Sequence, residues 1–151
     1  MSQTQLHVAI AAAPEEVWPW LVEPERMVQW MQPLQMVELE TPPPLDGGSR
    51  YRFVAPYGNR VHTFHGEVLA YDPFARFGIR LGGGAFSDGV TATAIFSLAA
   101  AGAATRVDLS IRVDGLHGLR RLAAPVGLGI ARREVLLRLD TLKRILETSA
   151  A

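Results

Sequence analysis

The feature that most constrains the fold is a change of hydrophobic period near residue 115. Between residues 49 and 113, apolar and polar residues alternate in short runs separated by turn residues, with no helical period among them. From residue 116 onward, apolar residues recur at the three- and four-residue spacing of a helix. Short alternating strands are typical of an antiparallel sheet with one covered face. The sequence therefore predicts an α+β chain in which a curved sheet packs against a long C-terminal helix.

The remaining elements follow from alternation and from proline positions. Seven strands are predicted, over residues 5–10, 34–40, 49–54, 61–71, 76–81, 90–98 and 106–113. Two short helices are predicted after the first strand, because Pro14 suits a first helical turn and Glu15 and Glu16 suit the positive helix N-terminus. Pro24 ends the first of these helices and begins the second.

The C-terminal helix is predicted over residues 131–147, where the apolar residues keep the period of one buried face. Pro125, Gly127 and Gly129 predict a kink or a break before it. The length is that of one ordinary domain, and no internal repeat divides the chain. Residues 1–151 are therefore expected to form a single domain.

Composition argues against several classes of function. The chain carries 15 Lys and Arg against 15 Asp and Glu, whereas a nucleic-acid-binding protein usually has a basic excess. It has no cysteine, which excludes a disulfide framework, a thiolate metal site and a cysteine nucleophile. No apolar run approaches the roughly 18 residues of a membrane span, and residues 8–13 lack the preceding positive charge of a signal peptide. We expect a cytoplasmic protein without stable membrane insertion.

Several segments, in the order just derived, resemble one superfamily. Residues 10–18 (IAAAPEEVW) and 25–30 are similar to the start of the START-like superfamily, also called Bet v 1-like or SRPBCC. Residues 65–73 (HGEVLAYDP) are similar to its Gly-x-Val-x-x-x-Asp-Pro strand and turn. Residues 104–107 and 142–147 match its usual endings. The branches that the chain most resembles are the polyketide cyclase/dehydrase and Hsp90-activator-homologue groups.

This resemblance implies a helix-grip fold, in which a seven-stranded antiparallel sheet wraps around the C-terminal helix and leaves a cavity between them. It implies binding of a hydrophobic or aromatic small molecule, lipid-like or polyketide-like, without a cofactor. Two alternatives stay open, since a fold does not fix a function. One is a cyclase or dehydratase that uses His62 as general acid or base, and the other is an accessory protein-interaction module. In each case the protein is expected to be a monomer or a homodimer.

The inward faces of the predicted strands are rich in aromatic residues, which suits an apolar ligand with few polar groups. Core filling is the alternative explanation for any one of these rings. The candidate ligand-binding residues are Trp30, Tyr51, Phe53, His62, Phe64, Phe77, Phe86, Phe96, Leu109 and Leu128.

His62 is the candidate with the most chemistry. Alternation puts its imidazole on the same face as Phe64 and Val68, so it is predicted to lie among apolar groups. There it would serve as a general acid or base, with Tyr51 on the neighbouring strand holding a carbonyl. The alternative is a structural histidine that bonds to the backbone. A one-residue slip in register would reverse the assignment.

No metal site is expected. His62 and His65 are three residues apart on one strand, so their rings point to opposite faces and do not share an ion. His65 and Glu67 share a face, which we expect to be the solvated one. Nucleophile-elbow and phosphate-loop motifs are absent from the sequence.

Basic residues gather in the C-terminal third, including Arg120, Arg121, Arg132 and Arg133. A solvated helix face is the ordinary explanation for such a run. The alternative is that these arginines flank the cavity mouth, where they would meet an anionic head group or make peripheral contact with a membrane.

Overall fold

The computed structural model contains every helix and strand that the sequence predicts. It describes residues 2–31, 34–57, 59–84, 89–115 and 119–149. Within these ranges, the side chains of Ser2, Tyr57, residues 119–132 and Ser149 are not described.

In chain order the elements are β1 (Ser2–Ile10), α1 (Pro14–Val22), α2 (Pro24–Trp30), β2 (Met36–Leu39), β3 (Arg50–Tyr57), β4 (Arg60–Asp72), β5 (Arg76–Gly83), β6 (Thr91–Ala101), β7 (Ala104–Asp114) and α3 (Leu119–Ser149). The seven strands form one sheet in the order β1-β7-β6-β5-β4-β3-β2, and every pair is antiparallel. Helices α1 and α2 thus connect the two edge strands, while α3 packs against β1. The predicted α+β helix-grip fold is confirmed.

The core lies between the inner face of the sheet and the helices. On α3, Leu139, Leu142 and Leu146 are buried, and their spacing of three and four residues is that of one helix face. The sheet contributes Phe77, Val107 and other residues from the predicted inward positions. Alternation therefore predicts the buried face of the sheet correctly for most of its length.

A polar clamp holds the C-terminal part of α3 against the end of β1. The Glu147 carboxylate accepts a hydrogen bond from the Ala11 N–H at 2.9 Å and pairs with Lys143 Nζ at 2.7 Å. Lys143 Nζ also donates to the Ala9 carbonyl at 2.8 Å. The bond from Lys143, followed by that from Ala11, lowers the pKa of the Glu147 carboxyl. The clamp fixes the helix along the sheet edge.

A β-bulge corrects the predicted face of one residue in β4. Val68 pairs with Ile79 and Ala70 with Gly78, so Leu69 is an extra residue between them, with 47% of its surface exposed. Ala70, predicted to lie on the inner face, consequently lies on the outer face. Simple alternation fails here because one inserted residue reverses every side chain after it.

In place of Ala70, Tyr71 contributes to the inner layer, with its ring edge-on to Trp18 at a centroid distance of 5.6 Å.

Helix α3 corrects a second expectation, because its backbone is helical from Leu119 to Ser149 without a break near Pro125. In the described part of the chain, no helix has the length and apolar character needed to cross a membrane.

Candidate ligand-binding cavity

A cavity of about 320 Å³ lies between the inner face of the sheet and α2. Its described lining consists of Met27, Met31, Leu34, Phe53, Ala55, Phe64, Phe77, Ile79, Leu81, Ala94 and Phe96. Every one of these side chains is apolar. The cavity therefore offers an occupant dispersion contacts and removal from water, and its described wall has no side chain that hydrogen-bonds.

Cross-strand pairing places the aromatic part of the wall. Phe53 on β3 lies directly opposite Phe64 on β4, and Phe77 on β5 lies opposite Phe96 on β6. Directly opposite residues on one face of a sheet are close neighbours, so each pair forms a continuous apolar surface.

Gly66 lets this wall close beneath the cavity. A Cβ at Gly66 would lie 2.7 Å from Ile79 Cδ1 and 2.9 Å from Phe53 Cε2, both of which belong to lining residues. Because glycine has no side chain there, the two lining residues approach each other across the inner face of β4.

The structure separates the predicted ligand-binding residues into groups. Phe53, Phe64, Phe77 and Phe96 line the cavity, whereas Tyr51, His62, Trp30 and Leu109 are not among its lining residues. Two further candidates, Phe86 and the Leu128 side chain, lie outside the described residues.

Trp30 and Leu109 are both buried, and each is a neighbour of the lining residue Phe96, Leu109 as its cross-strand partner. The Trp30 ring is edge-on to Phe96 at a centroid distance of 6.3 Å, and its Nε1–H donates to the Trp20 carbonyl at 2.7 Å. Trp30 thus supports a lining residue and satisfies its own polar group within the protein.

Tyr51 is fully buried, and its hydroxyl donates to the Val22 carbonyl at the end of α1. Its ring stacks on Phe53 at a centroid distance of 5.6 Å. Burial is the main cause that raises the pKa of the Tyr51 phenol above its usual range, and the negative charges of Tyr71 and Glu23 add to it. These contacts give Tyr51 a structural place in the core.

The structure does not bring Tyr51 and His62 together, which corrects their proposed partnership. Tyr51 pairs with Gly66, whereas His62 pairs with Ala55, four residues further along β3. At the rise of a strand this separation is roughly 13 Å, beyond the reach of a shared hydrogen bond.

His62 lies at one end of the cavity. It is half-buried, its ring centroid is 6.4 Å from that of Phe64, and its cross-strand neighbour is Ala55. Both of these neighbours are lining residues. The prediction that His62 lies on the inner face is therefore correct, but its imidazole lies next to the apolar wall and is not part of the cavity lining.

The other histidine of β4 has a different environment. His65 Nδ1 lies 3.1 Å from the Glu40 carboxylate on the exposed outer face of the sheet. Within the described ranges, no three His, Asp or Glu side chains are grouped as a metal site requires.

Sequence reasoning missed the helical side of the cavity. Met27, Met31 and Leu34 line it from α2 and the segment that follows. The four-residue spacing of the two methionines was the available signal, since it places both on one helix face. Ile79 and Ala94 also line the cavity but are not among the candidate ligand-binding residues, which were chosen mainly for their aromatic rings. Both occupy predicted inward positions.

Tyr51 makes the free energy of unfolding sensitive to alkaline pH. The raised pKa means that the folded protein holds the phenolic proton after the unfolded chain, with a tyrosine pKa of about 10, has lost it. This contribution is complete below pH 10 and falls as pH rises further. Urea denaturation between pH 8 and 11 should show a steeper loss in the wild type than in Tyr51→Phe.

At neutral pH, Tyr51→Phe should lower the free energy of unfolding by about 1–3 kcal/mol, because the Val22 carbonyl loses its donor. Identical pH slopes for the two proteins would show that the Tyr51 phenol ionises as readily in the folded as in the unfolded state.

Comparison with known proteins agrees with the fold and the resemblance. The family described as "Polyketide cyclase / dehydrase and lipid transport" matches residues 1–147. No curated protein sequence matches the chain.

Three solved structures illustrate the similarity. Zhui aromatase/cyclase from Streptomyces sp. R1128 has a TM-score of 0.78 at 14% identity, over 99% of this chain and 96% of that one. TTHA0849 from Thermus thermophilus has a TM-score of 0.77 at 17% identity, over 99% of this chain and 100% of that one. Ara h 8.0201 has a TM-score of 0.75 at 12% identity, over 97% and 98%. At these low identities the TM-scores show a shared fold. The family match over residues 1–147 shows that the chain belongs to the polyketide cyclase/dehydrase and lipid transport family of the START-like superfamily.

Proposed function

We propose that this protein binds a small hydrophobic molecule in the cavity between its sheet and α2. The observation that carries the proposal is the apolar character of the whole described lining around about 320 Å³ of space. The cavity is partly open, so an apolar molecule that binds in it removes apolar surface from water, which is favourable by about 25 cal/mol for each Å² buried.

The four phenylalanines of the wall favour a ligand that is itself flat or flexible. Aromatic rings attract apolar groups through dispersion and prefer edge-to-face or offset contact with other rings. Met27 and Met31 add unbranched side chains that adjust to irregular shapes. Aliphatic and aromatic ligands of similar volume are therefore both compatible with the wall.

Binding without chemical conversion is the form of this proposal that the contacts favour. A cyclase or dehydratase needs a proton-transfer group within hydrogen-bond reach of the substrate. The described lining offers no such side chain, and the Tyr51 hydroxyl already donates to the Val22 carbonyl. His62 is close to the cavity, but it has no catalytic partner in Tyr51.

An accessory interaction module has less support in the described contacts. The basic surface through which such a module would bind a partner includes Arg120, Arg121, Arg132 and Arg133. The side chains of the first three lie outside the described part, and Arg133 is exposed. The proposal therefore depends on the cavity and not on this basic surface.

Naphthalene is a suitable first probe, because its ten carbons match the cavity, which has room for about ten water-sized groups at roughly 30 Å³ each. Fluorescence titration should show saturable binding of one naphthalene per chain. Native mass spectrometry with organic extraction of the freshly purified protein should detect any retained natural ligand. Absence of both saturable naphthalene binding and a retained adduct would contradict the proposed function.

A further inference from the structure

Polarity rises steadily along one face of β4, from the core to the hairpin that joins β3 and β4. Gly66 is buried, Phe64 is half-buried and lines the cavity, His62 is half-buried, and Arg60 is exposed. The β3–β4 pairing is continuous from Tyr57↔Arg60 to Arg50↔Glu67, so these even-numbered positions share the inner face. The apolar cavity therefore continues into a polar and cationic end.

The Arg60 guanidinium is available to a ligand. It forms no ion pair or hydrogen bond with any residue that the structure describes. By contrast, Arg52 on the outer face of β3 pairs with Glu38. A guanidinium stays protonated at all physiological pH values and matches a carboxylate in geometry.

The inner face has no competing negative charge where the structure describes it. The acidic residues of β4, Glu67 and Asp72, lie on the outer face, and Glu67 pairs there with Arg80. No described inner-face position of β3, β5 or β6 is Asp or Glu. The field at this end of the cavity therefore favours an anion over a cation.

We propose that the ligand is an anionic amphiphile, a monocarboxylate with a hydrocarbon portion of about seven to ten carbons. This inference rests on the proposed function, since the hydrocarbon portion occupies the cavity. The carboxylate lies at the polar end of β4, where Arg60 binds it and the His62 ring lies between Arg60 and the apolar wall.

The dimensions set the length of the hydrocarbon portion. A space of about 320 Å³ holds about ten water-sized groups, which is fewer than a long fatty acid or a multi-ring polyketide contains. Arg60 lies two residues beyond His62, or about 7 Å along the strand, and an arginine side chain is long enough to reach across this distance. The head group therefore has a cationic partner just outside the cavity.

The first test compares octanoate with 1-octanol by isothermal titration calorimetry at low ionic strength. Both contain eight carbons and they differ in head-group charge, so the ratio of their affinities reports the contribution of the carboxylate. We expect octanoate to bind about tenfold more tightly, as one charge-assisted hydrogen bond at a partly exposed site provides. Butanoate should bind more weakly because it buries less surface, and hexadecanoate because it exceeds the cavity.

Arg60→Gln should reduce the octanoate-to-octanol ratio to near one without changing the affinity for 1-octanol. Arg50→Gln is the matched control, since Arg50 is an exposed arginine on the outer face of β3 without a side-chain partner among the described residues. It should leave the ratio unchanged.

The outcomes separate this inference from the proposed function. Equal affinities for octanoate and 1-octanol, or an unchanged ratio in Arg60→Gln, would overturn the carboxylate assignment while leaving hydrophobic binding intact. Tighter binding of hexadecanoate than of octanoate would overturn the size assignment. Failure of naphthalene, octanol and octanoate alike would overturn the proposed function itself.

Discussion

Replacement of Gly115 by alanine is expected to lower the free energy of unfolding by about 3 kcal/mol or more, or to prevent folding. A Cβ at Gly115 would lie 2.0 Å from the Gly89 carbonyl oxygen and 2.8 Å from its carbonyl carbon. Gly115 also has a φ of +89°, which a side chain makes unfavourable. Such backbone strain alone costs about 1–3 kcal/mol, and relief of the contact requires a backbone shift.

The location of Gly115 in the sheet explains why the backbone there cannot easily shift to accommodate a side chain. Gly115 follows the last residue of β7, and Asp114 pairs with Thr91 at the start of β6. Gly89 comes just before that start, so two chain segments at one end of the β6–β7 ladder pass each other in contact. A shift of either segment would disturb the pairing of Thr91 with Asp114.

Gly102→Ala is the matched control. Gly102 has a φ of +66°, but nothing lies within 4 Å of a Cβ at that position. Only the conformational cost remains, about 1–2 kcal/mol. Urea denaturation followed by circular dichroism should separate the two variants clearly, and equal losses would show that the Gly89 contact contributes nothing.

The fold was predictable because its two periodicities are nearly uninterrupted. In β5, Phe77 and Ile79 are buried and the adjacent Arg80 is exposed, as alternation predicts. In α3, Leu139 and Leu142 repeat at helical spacing and face the sheet. In both patterns the burial of a residue can be inferred from the residues next to it in sequence. A single sequence is therefore sufficient to predict which faces are buried.

The bulge in β4 was not predictable by the same means. Leu69 is apolar and follows Val68 in a segment that has the pattern of a regular strand, yet it is exposed and unpaired. The bulge is defined by the pairing with β5, where Ala70 meets Gly78. Pairing between strands is a relation between distant residues, and the period of one strand does not contain it.

The candidate site was predictable in its walls and not in its polar contacts. Phe53 and Phe96 follow from alternation, and they line the cavity. The Tyr51 hydroxyl, by contrast, finds its partner at Val22, 29 residues earlier in the chain. When that contact is unknown, an inward tyrosine on β3 and an inward histidine on β4 resemble a catalytic pair. The register of β3 with β4 shows that Tyr51 and His62 lie far apart.

Ala94→Phe is expected to reduce the affinity for naphthalene by at least about a hundredfold, because the new ring occupies the cavity. Ala94 lines the cavity from β6, directly opposite Ile79. The substitution adds about six carbons to a space that holds about ten water-sized groups. Too little volume then remains for a ten-carbon ligand, which fluorescence titration would detect as loss of saturable binding.

The thermal midpoint distinguishes a filled cavity from a damaged core. In a tightly packed interior, a larger side chain lowers stability by about 1–3 kcal/mol. In an empty cavity the same side chain gains contacts, so the midpoint of Ala94→Phe should stay level or rise. Ala99→Phe, at an exposed position on the outer face of β6, is the control and should retain naphthalene binding. Undiminished binding by Ala94→Phe would mean that the ligand lies elsewhere, whereas lost binding with an intact midpoint places the ligand against β6.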